Sequence, residues 1–280
     1  MSLLEEHLCE MKMLFEDSIK KSGLKGKESL IRSSHFINIL HDAIKADLID
    51  HGIDPACIMP KYKETKPEMK IAGFLKRKDQ DICVTPKDIE PVRSKITWGP
   101  ESAENVFDEY GPEYTRHTLV INVRSQMSSL AKNSDTLFER TFAEPMNLHM
   151  IHPDLVLGDV YLIPVYEYEQ GTMDERRITF VSKHTNLEKY ISFFNAISGR
   201  KDSMQNQYKY ERCALLIVDF SKDIPKTFNS TEELKAYGLV SPTFEIEYAN
   251  ISYDSFVSDL LKIYNERFGI HHIDRGEIYF

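Results

Sequence analysis

Cysteine is scarce in this 280-residue chain: Cys9, Cys57, Cys83 and Cys213 stand far apart, and no two have C-x-x-C spacing. That pattern argues against a zinc ribbon or a disulfide framework and fits a reducing cytoplasm. No apolar run approaches twenty residues and no charged-then-apolar stretch opens the chain, so neither a membrane span nor a signal peptide is expected. There is no G-x-x-x-x-G-K-[ST] loop, no G-x-G-x-x-G, no G-x-S-x-G and no H-E-x-x-H. These absences disfavour P-loop hydrolysis, dinucleotide chemistry, serine hydrolysis and zinc peptidase activity, and no nucleotide cofactor is expected. Trp98 is the only tryptophan, and it reads as core or hairpin packing. Repeats and low-complexity segments are also missing.

Apolar residues make up 41% of the chain, enough for a full core. The net charge of −9 counts against a polyanion binder until the cations are located. Within 61–78, seven cations (Lys61, Lys63, Lys66, Lys70, Lys76, Arg77 and Lys78) stand against Glu64 and Glu68, a local charge of +5. Arg200, Lys201, Lys209 and Arg212 form a weaker cluster. An acidic body with basic stretches fits a protein that grips a polyanion on one face; an ordinary solvated surface explains the same composition.

Ser2 and Glu5 have capping-box spacing, and Leu4, Leu8, Met11, Phe15 and Ile19 follow at helical intervals. A second helix is expected over 28–49. His35 and His41 read as surface residues. Strands are expected at 71–75 and 81–84, separated by a basic turn at Lys76–Lys78, then at 119–123, 156–165 and 213–220. Helices are expected at 135–149, 189–196 and 254–267, the last closed by Gly269. Pro145 is expected to end or kink its helix, and Pro164 to mark a strand end on an edge. Interleaved strands and helices indicate an α/β (or α+β) fold, a mixed central sheet flanked by helices. The expected organisation is an N-terminal helical region (1–60), a core (61–220) and a C-terminal helical extension (221–280).

The chemistry concentrates after residue 119. Along that strand Leu119, Ile121 and Val123 point one way, and Val120, Asn122, Arg124 and Gln126 the other. Three polar side chains on one face of an apolar strand need partners or a purpose. Ser128, Ser129, Lys132 and Asn133 follow, rich in donors, and then a helix bearing Glu139, Arg140 and Glu144. His149-x-x-His152 has ligand-like spacing but no third or fourth ligand nearby; His271-His272 is a weaker signal still.

Val123-Arg-Ser-Gln126, Lys132-Asn133 and Phe138-Glu-Arg-Thr-Phe-Ala-Glu144 together resemble the core of type II restriction endonucleases of the PD-(D/E)XK superfamily, in particular members with an E-x-K-S-Q strand, an Asn-rich loop and an R-T-E-E helix. The match spans roughly residues 70–168. The resemblance implies a restriction-endonuclease-like core and a Mg²⁺ ion held by an upstream acid and a strand acid beside a strand lysine. Carried over, Asn122 takes the strand-acid position and Arg124 the lysine position, and Asp81 best fits the upstream acid, with Asp79 and Asp108 as alternatives. Asparagine ligates without charge, and arginine stays protonated and serves only to stabilise a phosphate. An acid relocated to the helix, Glu139 or Glu144, would complete the metal set. The catalytic set is therefore Asp81, Asn122, Arg124 and Glu139, and the metal set Asp81, Asn122, Glu139 and Glu144. Arg124 has a structural alternative, an ion pair with Glu139 or Glu144.

The polar segment 199–212 holds Gln205, Asn206 and Gln207 beside Arg200, Lys201 and Lys209, side-chain types that read base edges. The expected DNA contacts are these three cations, Lys76, Arg77 and Lys78, and Gln126, Ser128 and Lys132. The leading expectation is a cytoplasmic, sequence-specific, Mg²⁺-dependent endonuclease acting on double-stranded DNA, a homodimer by the symmetry of such targets. The rivals are a DNA-binding relative whose site has decayed and a protein-interaction module.

Overall fold

The computed structural model describes residues 2–276. Helix α1 (Leu3–Arg32) opens on the expected capping box: Glu5 N donates to Ser2 Oγ at 3.2 Å and Ser2 N to Glu5 Oε2 at 2.7 Å. It buries Leu8, Met11, Phe15 and Ile19 and kinks at Gly23. There φ is 59°, and a Cβ would lie 2.8 Å from the Met173 carbonyl oxygen, so both the backbone conformation and the close approach require glycine. α1 continues past the expected start of the second helix. The break comes at Ser33–Ser34, where Ser33 Oγ bonds back to the Leu30 carbonyl and Ser34 turns left-handed at φ 61°. Helix α2 (His35–Asp50) follows.

The chain then runs through β1 (Ile58–Met59), β2 (Met69–Ala72), β3 (Arg77–Gln80), β4 (Ile82–Val84), β5 (Ser94–Lys95), β6 (Phe107–Asp108), α3 (Gly111–Arg116), β7 (Leu119–Ser125), α4 (Leu130–His149), β8 (Val156–Pro164), α5 (Leu187–Ile197), β9 (Arg212–Asp219), β10 (Lys226–Thr227), α6 (Thr231–Ala236) and α7 (Phe256–Phe268). Six strands form one mixed sheet in the order β1-β4-β7-β8-β9-β10. β4 is antiparallel to β1 and β7, β7, β8 and β9 are mutually parallel, and β10 is antiparallel to β9. This is the expected mixed sheet flanked by helices, with a helical N-terminal region. No helix among the described residues is long and apolar enough to cross a membrane.

Two apolar layers cover the sheet. Ile121, Val123, Val160, Leu162 and Leu216 face α1, α2 and α7; Val120, Leu157, Tyr161, Ile163 and Leu215 face α4 and α5. β8 and β9 are buried along their whole length, as parallel strands covered on both faces must be. Gly158 lies where α7 crosses β8, and a Cβ there would meet Leu260 Cδ1 at 2.6 Å and Phe256 Cζ at 2.9 Å. Gly158→Ala is expected to cost about 1–3 kcal/mol by overpacking, read as a lowered urea midpoint. An unchanged midpoint would mean that α7 packs less closely than this.

Several boundaries differ from expectation. Arg77 and Lys78 lie in β3, hairpin partner of β2, and not in a turn. Much of the basic stretch is paired: Lys66 with Glu68, Lys70 with Asp79, Arg77 with Glu101 and Lys78 with Glu144. α4 starts five residues early and runs through Pro145, because its stripe of Leu137, Thr141, Pro145 and Leu148 is buried as one face. Pro164 does end a strand, but that strand is central, between β7 and β9.

Candidate active site

The register of β4, β7 and β8 assembles the site. Ile82 pairs with Ile121, so Asp81 falls beside Asn122, and Asn122 pairs in turn with Asp159. Side chains alternate along each strand, so Asn122 and Arg124 on β7 and Asp159 and Tyr161 on β8 all point toward α4. A polar row thus crosses three strands of an otherwise apolar face.

Arg124 is the hub. It ion-pairs with Glu144 of α4, donates from Nη1 to Thr141 Oγ1 at 3.0 Å, and holds Nη1 3.3 Å from Asp159 Oδ1. Lys78 of β3 pairs with the other oxygen of Glu144. Asp81 caps the row from the strand edge, accepting the Val123 N–H on Oδ2 at 2.8 Å. Asn122 and Asp159 are fully buried, and among the described residues neither the two amide atoms of Asn122 nor the two oxygens of Asp159 find a hydrogen-bond partner. Buried polar groups without hydrogen bonds are rare and costly, and this row holds two side by side, of which only Asp159 has a counter-charge, Arg124.

The charges respond accordingly. Burial pushes the Asp159 carboxyl up to about 6; Arg124 opposes that shift and Asp81 adds to it. Burial also works against the Arg124 charge, but Asp159, Tyr210 and Asp81 more than offset it, so the guanidinium stays protonated. Arg124 keeps about a quarter of its side chain exposed (24%), toward a cleft of about 670 Å³ lined also by Gln126, Ser128, Asn133, Arg140 and Tyr161. Gln126 is fixed there, donating to the Ser128 and Ser129 carbonyls and accepting from the Tyr161 hydroxyl at 2.6 Å. Ser128 accepts from Lys27 Nζ of α1.

Asp81, Asn122, Arg124 and Glu144 are therefore brought together. Glu139 is not: it is exposed, about 140° around α4 from Glu144 at 100° per residue. Asp81, Glu144 and Asp159 surround Arg124, and among the described residues these three do not bring their oxygens within 4.8 Å of one another. Asp79 is exposed and paired with Lys70, and Asp108 is buried on β6, where it accepts from the Tyr110 N–H.

The expected DNA contacts scatter. Lys76, Lys132 and Lys201 are exposed and Lys209 is half-buried. Arg77 and Lys78 are held by the carboxylates named above. Arg200 is a correction to the expected recognition loop: it is 2% exposed, and its guanidinium is consumed by Glu211 and by the Pro153, Ser203 and Gln205 carbonyls. The loop needs this buried cation because Glu211 lies beneath it. Lys201 lines a separate cleft with Arg212, Lys262 and Arg267. His149 and His152 are buried and bond to backbone carbonyls, the former beside Glu211.

Two residues were missed. Asp159 is the lone acid in an otherwise apolar strand, a signal present in the sequence. His41, expected at the surface, has a buried Nε2 with no hydrogen-bond partner among the described residues; burial lowers its pKa while the nearby Asp81 charge works the other way. Comparison with known protein families, with curated proteins and with solved structures finds no match.

Proposed function

We propose that this chain is a Mg²⁺-dependent endodeoxyribonuclease of the restriction type, cutting double-stranded DNA as a cytoplasmic homodimer. One observation carries the reading: Asn122 and Asp159, buried and adjacent beside the carboxylate of Asp81, make no side-chain hydrogen bond among the described residues, and Asp159 has only the Arg124 ion pair. Two carboxylates and an amide oxygen are a hard-cation donor set, and a cation there would satisfy Asn122 and complete the shell of Asp159, which has only Arg124 opposite it. Asp81, Asn122 and Asp159 would hold the ion, with Asp159 in the part expected of Glu139 or Glu144. The parallel β7–α4–β8 crossover is what sets Asn122 and Asp159 side by side on one face of the mixed sheet.

The remaining chemistry falls to the chain's own groups. Arg124 faces the cleft from the end of the polar row, where it would donate to a phosphate oxygen and offset charge built up in the transition state. It cannot accept a proton. Glu144 and Thr141 fix the plane of its guanidinium. Gln126, Ser128 and Asn133 line the same cleft and would hold the strand. Mg²⁺, when bound, supplies a water of lowered pKa and a second positive charge at the phosphate.

The ion pairing of Arg124 favours a second reading, a DNA-binding relative that does not cut. Digestion of an unmethylated phage genome with Mg²⁺ or Mn²⁺ separates the two. Discrete fragments are expected, with at least a hundredfold loss in Asp81→Ala and in Arg124→Ala. DNA binding without cleavage by folded protein would establish the second reading, and neither binding nor cleavage would remove both.

A further inference from the structure

The sequence gives His271-His272 little weight as a ligand pair, because no third donor lies near it in the chain. The fold supplies one from 183 residues away. Asp88, in the loop after β4, lies against the C-terminal 3₁₀ turn Ile270–His272. His272 Nδ1 is 2.6 and 2.8 Å from the two Asp88 oxygens. One donor atom from each of Asp88, His271 and His272 lies within 4.8 Å of the others, the one such group of three among the described residues. We propose that Asp88, His271 and His272 form a transition-metal site, for Zn²⁺ or a close relative, that staples the C-terminal segment to the body of the protein.

The donor chemistry selects the metal. Two imidazoles and a carboxylate suit Zn²⁺, Co²⁺ or Ni²⁺ and not Mg²⁺, which prefers an all-oxygen shell. The site is thus distinct in kind from the one on the β4–β7–β8 face. A metal bonded at about 2.0–2.1 Å to a carboxylate oxygen and an imidazole nitrogen separates them by about 3.3 Å in tetrahedral geometry. The Asp88–His272 gap needs to open by under 1 Å, with the imidazole carrying its single proton on Nε2. Asp88 is exposed, which leaves room for a water as the fourth ligand.

The scaffold is already built. Gly269 has φ 86°, and a Cβ there would lie 2.7 Å from the His271 ring, so glycine is what allows that imidazole to fold back. The His271 and His272 rings are 4.1 Å apart between centroids, and His117 packs edge-on against His272 at 5.3 Å. The two ligand-bearing segments are clamped on either side of the donors. Lys87 N donates to the His272 carbonyl at 2.9 Å and Lys87 Nζ to the Asp274 carbonyl at 2.6 Å. Asp54 N donates to the Ile273 carbonyl, and Arg275 Nε to the Ile53 carbonyl. Preorganised donors of this kind bind a metal without having to order the chain first.

The test uses the full chain without a histidine tag, stripped with EDTA and titrated calorimetrically with Zn²⁺, alongside Co²⁺ absorption. One ion per chain is expected, with tetrahedral Co²⁺ bands and a raised Tm on Zn²⁺ addition. His271→Ala, His272→Ala and Asp88→Ala should each weaken Zn²⁺ binding at least tenfold, whereas Asp81→Ala/Asp159→Asn should leave it intact. These three positions are at the surface or half-buried, so folding is not at stake. Binding unchanged in the histidine variants, binding lost in the Asp81/Asp159 variant, or no stoichiometric binding at 100 µM Zn²⁺ would each overturn the proposal.

Discussion

Asp159→Asn is expected to abolish metal-dependent DNA cleavage while leaving the protein at least as stable as the parent above pH 6. The two halves of this result have one cause. Burial, with Asp81 adding and Arg124 opposing, pushes the Asp159 carboxyl up to about 6. An unfolded aspartate titrates near 4. Between those values the folded chain keeps a proton that the unfolded chain has released, so stability falls as pH rises through about 4 to 6, and the penalty is complete above it. A gap of about two pH units corresponds to roughly 2–3 kcal/mol. Asparagine carries no charge into that site, so the variant should lose this slope, and its urea midpoint at pH 8 should match or exceed the parent's. The same change removes the carboxylate that would hold the ion, with an expected loss of activity of at least about 10²–10³-fold. Robust cleavage by the variant would reduce Asp159 to a structural partner of Arg124. A lower midpoint at pH 8 would mean that this ion pair outweighs the cost of burial.

Such residues show how far the sequence can be read. The elements with clear periodicity were legible, with boundaries shifted by a few residues: the capped α1, the continuous apolar runs of β8 and β9, and α7 with its terminal Gly269. Shorter elements were not, because β1, β5, β6 and β10 are two residues long and are defined by their partners alone. Within the candidate site, Asn122 and Arg124 could be named because strand alternation places them, and Asp81 because it is an acid that opens a short apolar strand. The choice between Glu139 and Glu144 could not be made, since it depends on which face of α4 packs on the sheet. Asp159 was available as a charge within an apolar run, but its meaning comes from its register with Asn122, which no local pattern contains. The cations were the least legible. A run of lysines and arginines looks like a surface for DNA until the fold supplies Glu68, Asp79, Glu101 and Glu144 as partners.

Arg200 is the sharpest case of that kind, and Glu211→Gln is expected to be among the most damaging single substitutions in the molecule. Glu211 is fully buried. Its Oε1 meets Arg200 Nη1 at 2.8 Å and Arg267 Nη2 at 2.9 Å. Its Oε2 accepts the Leu157 N–H at 2.9 Å and lies 3.4 Å from His149 Nε2. Burial alone would raise its pKa, but His149, Arg267 and Arg200 together hold it below the ordinary glutamate value. The stability it contributes is therefore complete above the ordinary glutamate pKa and is lost as pH falls through the lower folded value. Glutamine keeps the shape and removes the charge, leaving Arg200 buried without a counter-ion; breaking such a pair costs about 3–5 kcal/mol. Urea unfolding at pH 7 should show that loss, and the difference between parent and variant should shrink as the pH is lowered toward 3. A loss under 1 kcal/mol would mean that the Pro153, Ser203 and Gln205 carbonyls alone satisfy Arg200.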